Sequence, residues 1–257
     1  MNITRYLQRI DYHGSREPTL ETLRALHRAH LLAVPFENLN ISRGWPIVLD
    51  EAALYQKIVE QRRGGFCYEL NGLFASLLCA LGFNVSMLAA RVFNAQGELG
   101  IEFDHMTLHV QLDEPWLADV GFGDSFREPL RLNETGEQVQ DGDAYRIACA
   151  DDRLTLLRCE EQDWKAQYVF TLRAHSLADF AGGCHYHQTS PASPFTRRRI
   201  CSRATHDGRI SLSDTKLIIT RHGQREERML SSDAEYAAVL REHFGMILSQ
   251  PTNSPTI

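Results

Sequence analysis

Cys67 stands in the stretch Arg62-Arg63-Gly64-Gly65-Phe66-Cys67-Tyr68-Glu69, directly after a double glycine. The apolar residues that follow (Leu70, Leu73, Phe74, Leu77, Leu78 and Leu81) recur at helical spacing until Gly82 stops them, so Cys67 falls in the first turn of a buried helix. Free amides and the macrodipole at such an end stabilise negative charge, and two arginines lie within five residues. A thiol placed there is expected to ionise below its ordinary value of about 8.5, as a nucleophile requires. The plainer reading is a small buried residue beside a glycine turn. Cys79, in the body of the same helix, reads as a core thiol.

A nucleophilic thiol needs a base, and the base needs an orienting acid. The strand-like segment 105–112 sets His105, Thr107, His109 and Gln111 on one face and Met106, Leu108, Val110 and Leu112 on the other. In the next such segment, 116–122, Asp119 lies between Ala118 and Val120, a costly place for an acid unless something pairs with it. A turn at Asp113–Glu114–Pro115 would bring the two strands together. Register alone leaves open whether His105 or His109 meets Asp119, and for a strand histidine a satisfied structural side chain is the plainer reading. Cys184-His185-Tyr186-His187 has metal-ligand residue types, but no second cluster completes a site, so no metal is expected. Arg197-Arg198-Arg199, with Arg203, offers charge for phosphates or a solvated face. Gly121-Phe122-Gly123 is too short for a nucleotide-binding loop.

The elements that must carry these residues are legible from caps and periodicity. Thr19 caps a helix through Leu23, Leu26 and Leu31 that Pro35 ends, and Asp50 caps a second through Leu54, Ile58 and Val59. From residue 84 the pattern turns to alternation, over 84–93, 105–112, 116–122, 143–149, 152–158 and 164–172. A short helix at 176–187, a loop from Gln188 to Pro194, strands at 198–204, 208–212 and 215–221, and a helix at 232–244 follow; the tail from Gln250 reads as loosely held. Helices, then strands, then a mixture specify an α+β fold: a helical bundle over 1–83, an antiparallel β-barrel-like domain over 84–190, and an α/β lid over 191–257.

Composition narrows the class. With 257 residues, 43 % apolar and 23 % charged, the chain can bury a real core. A net charge of -6 argues against nucleic acid as a partner. The segment Met1 to Arg9 has no apolar targeting region, and no apolar run approaches the ~18 residues that span a bilayer. The six cysteines form no CxxC pair and read as reduced, mostly buried thiols of a cytoplasmic protein.

Several motifs occur in one order: Tyr6-Leu-Gln-Arg-Ile-Asp-Tyr12, Pro35-Phe-Glu-Asn-Leu39, Arg63-Gly-Gly-Phe-Cys67, Leu88-Ala-Ala-Arg-Val-Phe93, Trp116-Leu-Ala-Asp-Val-Gly-Phe-Gly123 and Gln188-Thr-Ser-Pro-Ala-Ser-Pro-Phe195. With them, the sequence resembles the arylamine N-acetyltransferases over roughly residues 1–200. The resemblance implies the same three-part fold on a papain-like core. It puts the nucleophile on Cys67, the base on His105 rather than His109, and the acid on Asp119. It implies ping-pong transfer from acetyl-CoA to arylamines, arylhydrazines or arylhydroxylamines without a metal, and a place in xenobiotic metabolism. Phe36, Val92, Phe93, Phe122 and Phe195 fall at positions lining the acceptor cleft, although ordinary core packing suits some of them as well. Thr189, Ser190 and Ser193 are expected to contact CoA, Glu37 and Arg63 to brace the loop before Cys67, and amides of Cys67 and of a residue near Phe103 to hold the oxyanion. The chain departs from the resemblance at Glu102-Phe103-Asp104, where Thr or Ser often precedes the histidine, and its histidine-to-aspartate stretch is one residue shorter than in some relatives. The same three residue types would equally serve a papain- or transglutaminase-like cysteine amidase, an amide synthase using another acyl donor, or a binding protein without turnover.

Overall fold

In the computed structural model, residues 1–248 are described, and the tail from Gln250 lies outside them. Helix α1 (Ile3–Arg9) starts where the Asn2 side chain accepts from Arg5 N–H, and α2 (Leu20–Ala33) where Thr19 accepts from Thr22 N–H. A two-residue strand β1 (Phe36–Glu37) and a short turn of helix α3 (Leu39–Ser42) follow. Asp50 caps α4 (Glu51–Tyr55), which continues as a π-helical turn over Gln56–Glu60. Helix α5 (Cys67–Ala80) then passes through the centre of the bundle, its apolar residues buried on nearly every side.

The chain next forms a strongly antiparallel sheet of eight strands: β2 (Asn84–Val92), β3 (His105–Gln111), β4 (Pro115–Ala118), β5 (Leu130–Arg131), β6 (Gln138–Gln140), β7 (Asp143–Ala150), β8 (Arg153–Glu160) and β9 (Asp163–His175). Their order is β5-β4-β3-β2-β9-β8-β7-β6. The two edges meet without a backbone ladder. The Gln138 amide bonds both the N–H and the carbonyl of Arg131 (2.8 and 2.9 Å), and the Gln140 amide bonds Arg127 N–H, Glu128 N–H and the Glu128 carbonyl. Two glutamines thus nearly close the sheet into a barrel and cover edges that would otherwise be exposed. Leu88, Leu117, Leu130, Tyr145, Leu156 and Phe170 fill its interior. Its outer face at Leu108, Val110, Trp116 and Ala118 packs on the helices.

A 3₁₀ turn at Leu177–Phe180 leads into α6 (Ala181–Thr189) and α7 (Pro194–Arg197). Strands β10 (Ile200–Thr205), β11 (Gly208–Ser213), β12 (Lys216–Arg221) and β13 (Gln224–Met229) form a second sheet, covered by α8 (Asp233–Phe244). Strand β1 joins this sheet at the β10 edge, pairing Phe36 with Ser202 and Glu37 with Cys201, so the helical part and the lid share a ladder. The fold is α+β, with a helical bundle, a barrel-like sheet and a terminal α/β layer around a papain-like core. Among the described residues, no helix is long and apolar enough to cross a membrane.

Three expectations need correction. The strand 116–122 ends at Ala118, so Asp119 lies just past the ladder. Cys79 is exposed, because the last turn of α5 runs out of the core. The cysteines are all free, but only Cys67, Cys184 and Cys201 are buried.

Candidate active site

Cys67 is the first residue of α5 and is buried to 3 % exposure. The loop before it is held by a buried ionic cluster. Arg63 donates to Glu37 (3.0 and 2.6 Å) and Asn40 (2.9 Å), while Lys57 pairs with Glu69 at 2.7 Å. Burial alone would push Glu37 up, but Lys57 and Arg63 outweigh it and hold the carboxyl below its ordinary value. Arg63 is therefore committed to the loop and Arg62 is exposed, so neither arginine serves the thiol. The glycines bring backbones together: Glu37 N–H bonds the Gly65 carbonyl at 2.8 Å, and a side chain at Gly64 would collide with the Pro35 carbonyl.

The imidazole Nε2 of His105, at the start of β3, lies 2.7 Å from Asp119 Oδ2. His109 points along the same strand face but sits opposite Leu117, and its Nε2 has no partner. Asp119 is gripped from all sides. Its Oδ1 accepts from Asn71 Nδ2 (2.8 Å) and Gly121 N–H (2.9 Å), and its Oδ2 also accepts from the Tyr168 hydroxyl (3.0 Å). Burial would raise this carboxyl, but His105, Asn71 and Gly121 overcome it and keep it below the ordinary aspartate value. Burial pushes Tyr168 well up, so it stays a donor.

Asn71 explains how the helix and the sheet meet. It stands four residues after Cys67, on the same helix face, and its amide also donates to the Met106 carbonyl (2.6 Å) and accepts from Val120 N–H (2.9 Å). A polar residue at that spacing inside an apolar stripe was the sequence signal for it. Gly121 allows the approach, since a Cβ there would come within 2.8 Å of Cys67 Cα. His27, on α2, accepts from Asp119 N–H (3.0 Å) through Nε2, and its Nδ1 bonds the Arg127 carbonyl (2.9 Å). Burial pulls His27 down to about 4, so it holds the Asp119 peptide as a neutral ring. Tyr168 and His27 reach Asp119 from remote segments and leave no local sequence signal.

Cys67 begins the helix that Asn71 ties to the carbonyl of Met106, the residue after His105. Burial pushes the thiol up, and the carboxylates of Asp119 and Asp104 push with it. Ionisation of Cys67 needs a proton acceptor, and His105 stands at that end of the strand.

Around these groups lie two aromatic walls. The Phe122 ring is 5.2 Å from His105 and 5.1 Å from Tyr168, and Val92 packs against the same buried cluster as Phe122. Phe195 stands 6.0 Å from Phe36 and 5.9 Å from Phe66, in the cluster that contains Cys67. Phe93, one residue beyond β2, bridges to Leu99 and belongs to neither wall. Ser193 is fully buried and its hydroxyl is bonded to His187 and Phe195 N–H, which removes it from the residues able to meet a cofactor. The Thr189 hydroxyl turns back to the His185 carbonyl at 2.8 Å, and Ser190 is half-buried. Arg199 is bound to Asp214 and Asp233, and Arg203 to the Leu32 and His243 carbonyls. Arg197 and Arg198 remain exposed and, with Arg43, line a cleft of about 400 Å³ beside Phe195. No group of metal-binding side chains occurs among the described residues.

A profile described as N-acetyltransferase matches residues 19–252. An arylamine N-acetyltransferase of Escherichia coli is 34 % identical over 95 % of this chain and 88 % of its own length. The solved structure of the Salmonella typhimurium arylamine N-acetyltransferase superposes with a TM-score of 0.93 at 32 % identity, covering 99 % of this chain and 94 % of that one. The Mycobacterium marinum arylamine N-acetyltransferase in complex with CoA superposes with a TM-score of 0.89 at 35 % identity, over 95 % and 93 % of the two chains.

Proposed function

This chain belongs to the arylamine N-acetyltransferase family, and from that premise we propose that Cys67, His105 and Asp119 carry an acetyl group from acetyl-CoA to an aromatic acceptor. The observation that carries the assignment is the buried His105–Asp119 bond of 2.7 Å, tied to the helix that Cys67 begins through Asn71, which bonds both Asp119 and the Met106 carbonyl.

Asp119 fixes the Nε2–H tautomer of His105 and leaves Nδ1 as the base. Cys67 gives its proton to His105 and attacks the thioester carbonyl; the sulfur–carbon bond forms as the carbonyl electrons move to oxygen. First-turn amides of α5, which the helix's own carbonyls do not use, stabilise that oxyanion together with the 103–104 backbone. The intermediate collapses, CoA leaves as a thiol with the proton from His105, and acetyl-Cys67 remains. An arylamine, arylhydrazine or arylhydroxylamine then attacks, His105 takes its proton, and the Cys67 thiolate departs.

The amine outcompetes water because the cleft is walled by Phe36, Phe122, Phe195 and Val92, which hold a flat acceptor and exclude solvent. Arg197 and Arg198, at the cleft beside Phe195, meet the CoA phosphates, with Thr189 and Ser190 on the loop that leads to them. The chain divides functionally at residues 83 and 190, with nucleophile, base and acid, and lid on successive parts. Six free cysteines suit a reducing cytoplasm, where foreign aromatic amines are acceptors. Steady-state kinetics with acetyl-CoA and an arylhydrazine test this reading: parallel double-reciprocal lines are expected, and intersecting lines would overturn the acetyl-enzyme route.

A further inference from the structure

Two carboxylates, not one, bear on the nucleophile. Asp119 is answered by His105, Asn71, Tyr168 and Gly121. The other, Asp104, directly precedes His105, and its charge also opposes a negative Cys67. It is met by His187 of α6, whose Nε2 lies 3.0 Å from Oδ1 and 3.2 Å from the Asp104 carbonyl. His187 is 2 % exposed, and its Nδ1 is 3.0 Å from Ser193 Oγ, which in turn accepts from Phe195 N–H at 3.2 Å. Whether the ring is the neutral Nε2–H tautomer or the imidazolium, it donates to Asp104.

The backbone at this point is strained as well. Phe103 has φ +57°, a left-handed conformation that a bulky residue adopts only where its surroundings enforce it. The enforcing contacts are visible. The Tyr68 hydroxyl reaches the carbonyls of Phe103 (2.7 Å) and Asp104 (3.0 Å), and Val92 N–H donates to Asp104 Oδ2 (3.2 Å).

We infer that His187 is a positioning residue for the nucleophile: it masks the Asp104 charge beside Cys67 and pins the 103–104 segment that leads into His105, with Ser193 fixing the ring. The arrangement is a second histidine–aspartate pair, held to the residue after Cys67 through the Tyr68 hydroxyl, and it gives the Cys184-His185-Tyr186-His187 stretch a role that needs no metal. The titratable groups around Cys67 are His105 on β3, Asp119 past β4, Asp104 before β3, Tyr68 on its own helix and Cys184 on α6. Those around His187 are Asp104, Tyr68 and, on its own helix, Tyr186. An unmasked carboxylate near a shielded thiolate opposes its ionisation by about one pH unit, or about tenfold in thiolate at a fixed pH.

The inference rests on Cys67 as the nucleophile, and the test reads Cys67 itself. Iodoacetamide alkylation of Cys67 is followed by peptide mapping as a function of pH in the full chain. In His187→Leu the midpoint is expected to rise by about one unit, with alkylation at neutral pH about tenfold slower. Adding Asp104→Asn should bring the midpoint back, because the charge that needed masking is gone. His187→Gln, whose amide still donates to Asp104, should stay near the parent. Asp104→Asn alone should lower the midpoint, which keeps the inference testable if His187→Leu does not fold. Unmoved midpoints in the single variants, or a rise in His187→Leu that Asp104→Asn fails to reverse, would overturn it. Alkylation needs no acetyl donor, so a Cys67 that reacts with iodoacetamide but is never acetylated would defeat the transferase reading and leave this test standing.

Discussion

His105 Nε2 lies 2.7 Å from Asp119 Oδ2, and both side chains are almost wholly shielded from solvent. That contact distinguishes the two histidines of one strand face. His109, four residues further on, has an Nε2 without a partner. His105→Gln is expected to lower acetyl-enzyme formation by about 10³-fold, because the thiol loses its proton acceptor. His109→Gln should leave it near the parent level. Rapid-quench measurement of the acetyl-enzyme burst checks this, and the reverse pattern would reassign the base.

Asn71 joins α5 to the Asp119 segment by bonds to Asp119, Met106 and Val120. Asn71→Ala leaves those buried groups without a partner, at a cost of about 2–3 kcal/mol in stability. It also frees the Asp119 carboxyl to rotate, so kcat should fall about tenfold or more in the protein that remains folded. Urea unfolding and kcat measured together decide the point. Lost stability with an unchanged kcat would make Asn71 a purely structural residue.

His27 makes stability depend on acid. Burial pulls it from 6.5 to about 4 in the folded protein. Between those values the unfolded chain binds more protons, so stability is complete above pH 6.5 and is lost as pH falls toward 4. At pH 5 the loss from this residue amounts to about 2 kcal/mol. His30, also lowered by burial, adds in the same direction. Urea unfolding at pH 7.5 and pH 5 should show the drop in the parent and a smaller one in His27→Gln. Equal drops would mean that His27 is protonated without penalty.

What the sequence reveals follows how local its causes are. Thr19 and Asp50 announce their helices because a cap is made within three residues. The Cys67 helix and the alternating strand at His105 are legible for the same reason. Strand β1 is not, since it exists only through pairing with Ser202 and Cys201 on a distant strand. Strand β13 is exposed along its whole length, so it carries no alternation to read. Asp119 lies past its strand because its own N–H goes to His27 and the next, Val120 N–H, to Asn71. Periodicity therefore ran the strand too far, to residue 122. The burial of Cys67 and the commitment of Arg63 to Glu37 are likewise made by distant segments, so the stretch around Cys67 does not display them.

The central claim is that Cys67 carries the acetyl group, and intact-protein mass spectrometry tests it most directly. The protein is mixed briefly with acetyl-CoA, mapped by peptide digestion, and chased with an arylhydrazine. A single acetyl adduct on Cys67 that disappears in the chase is the predicted result. An adduct on another residue, or none on protein whose Cys67 still reacts with iodoacetamide, would contradict the account.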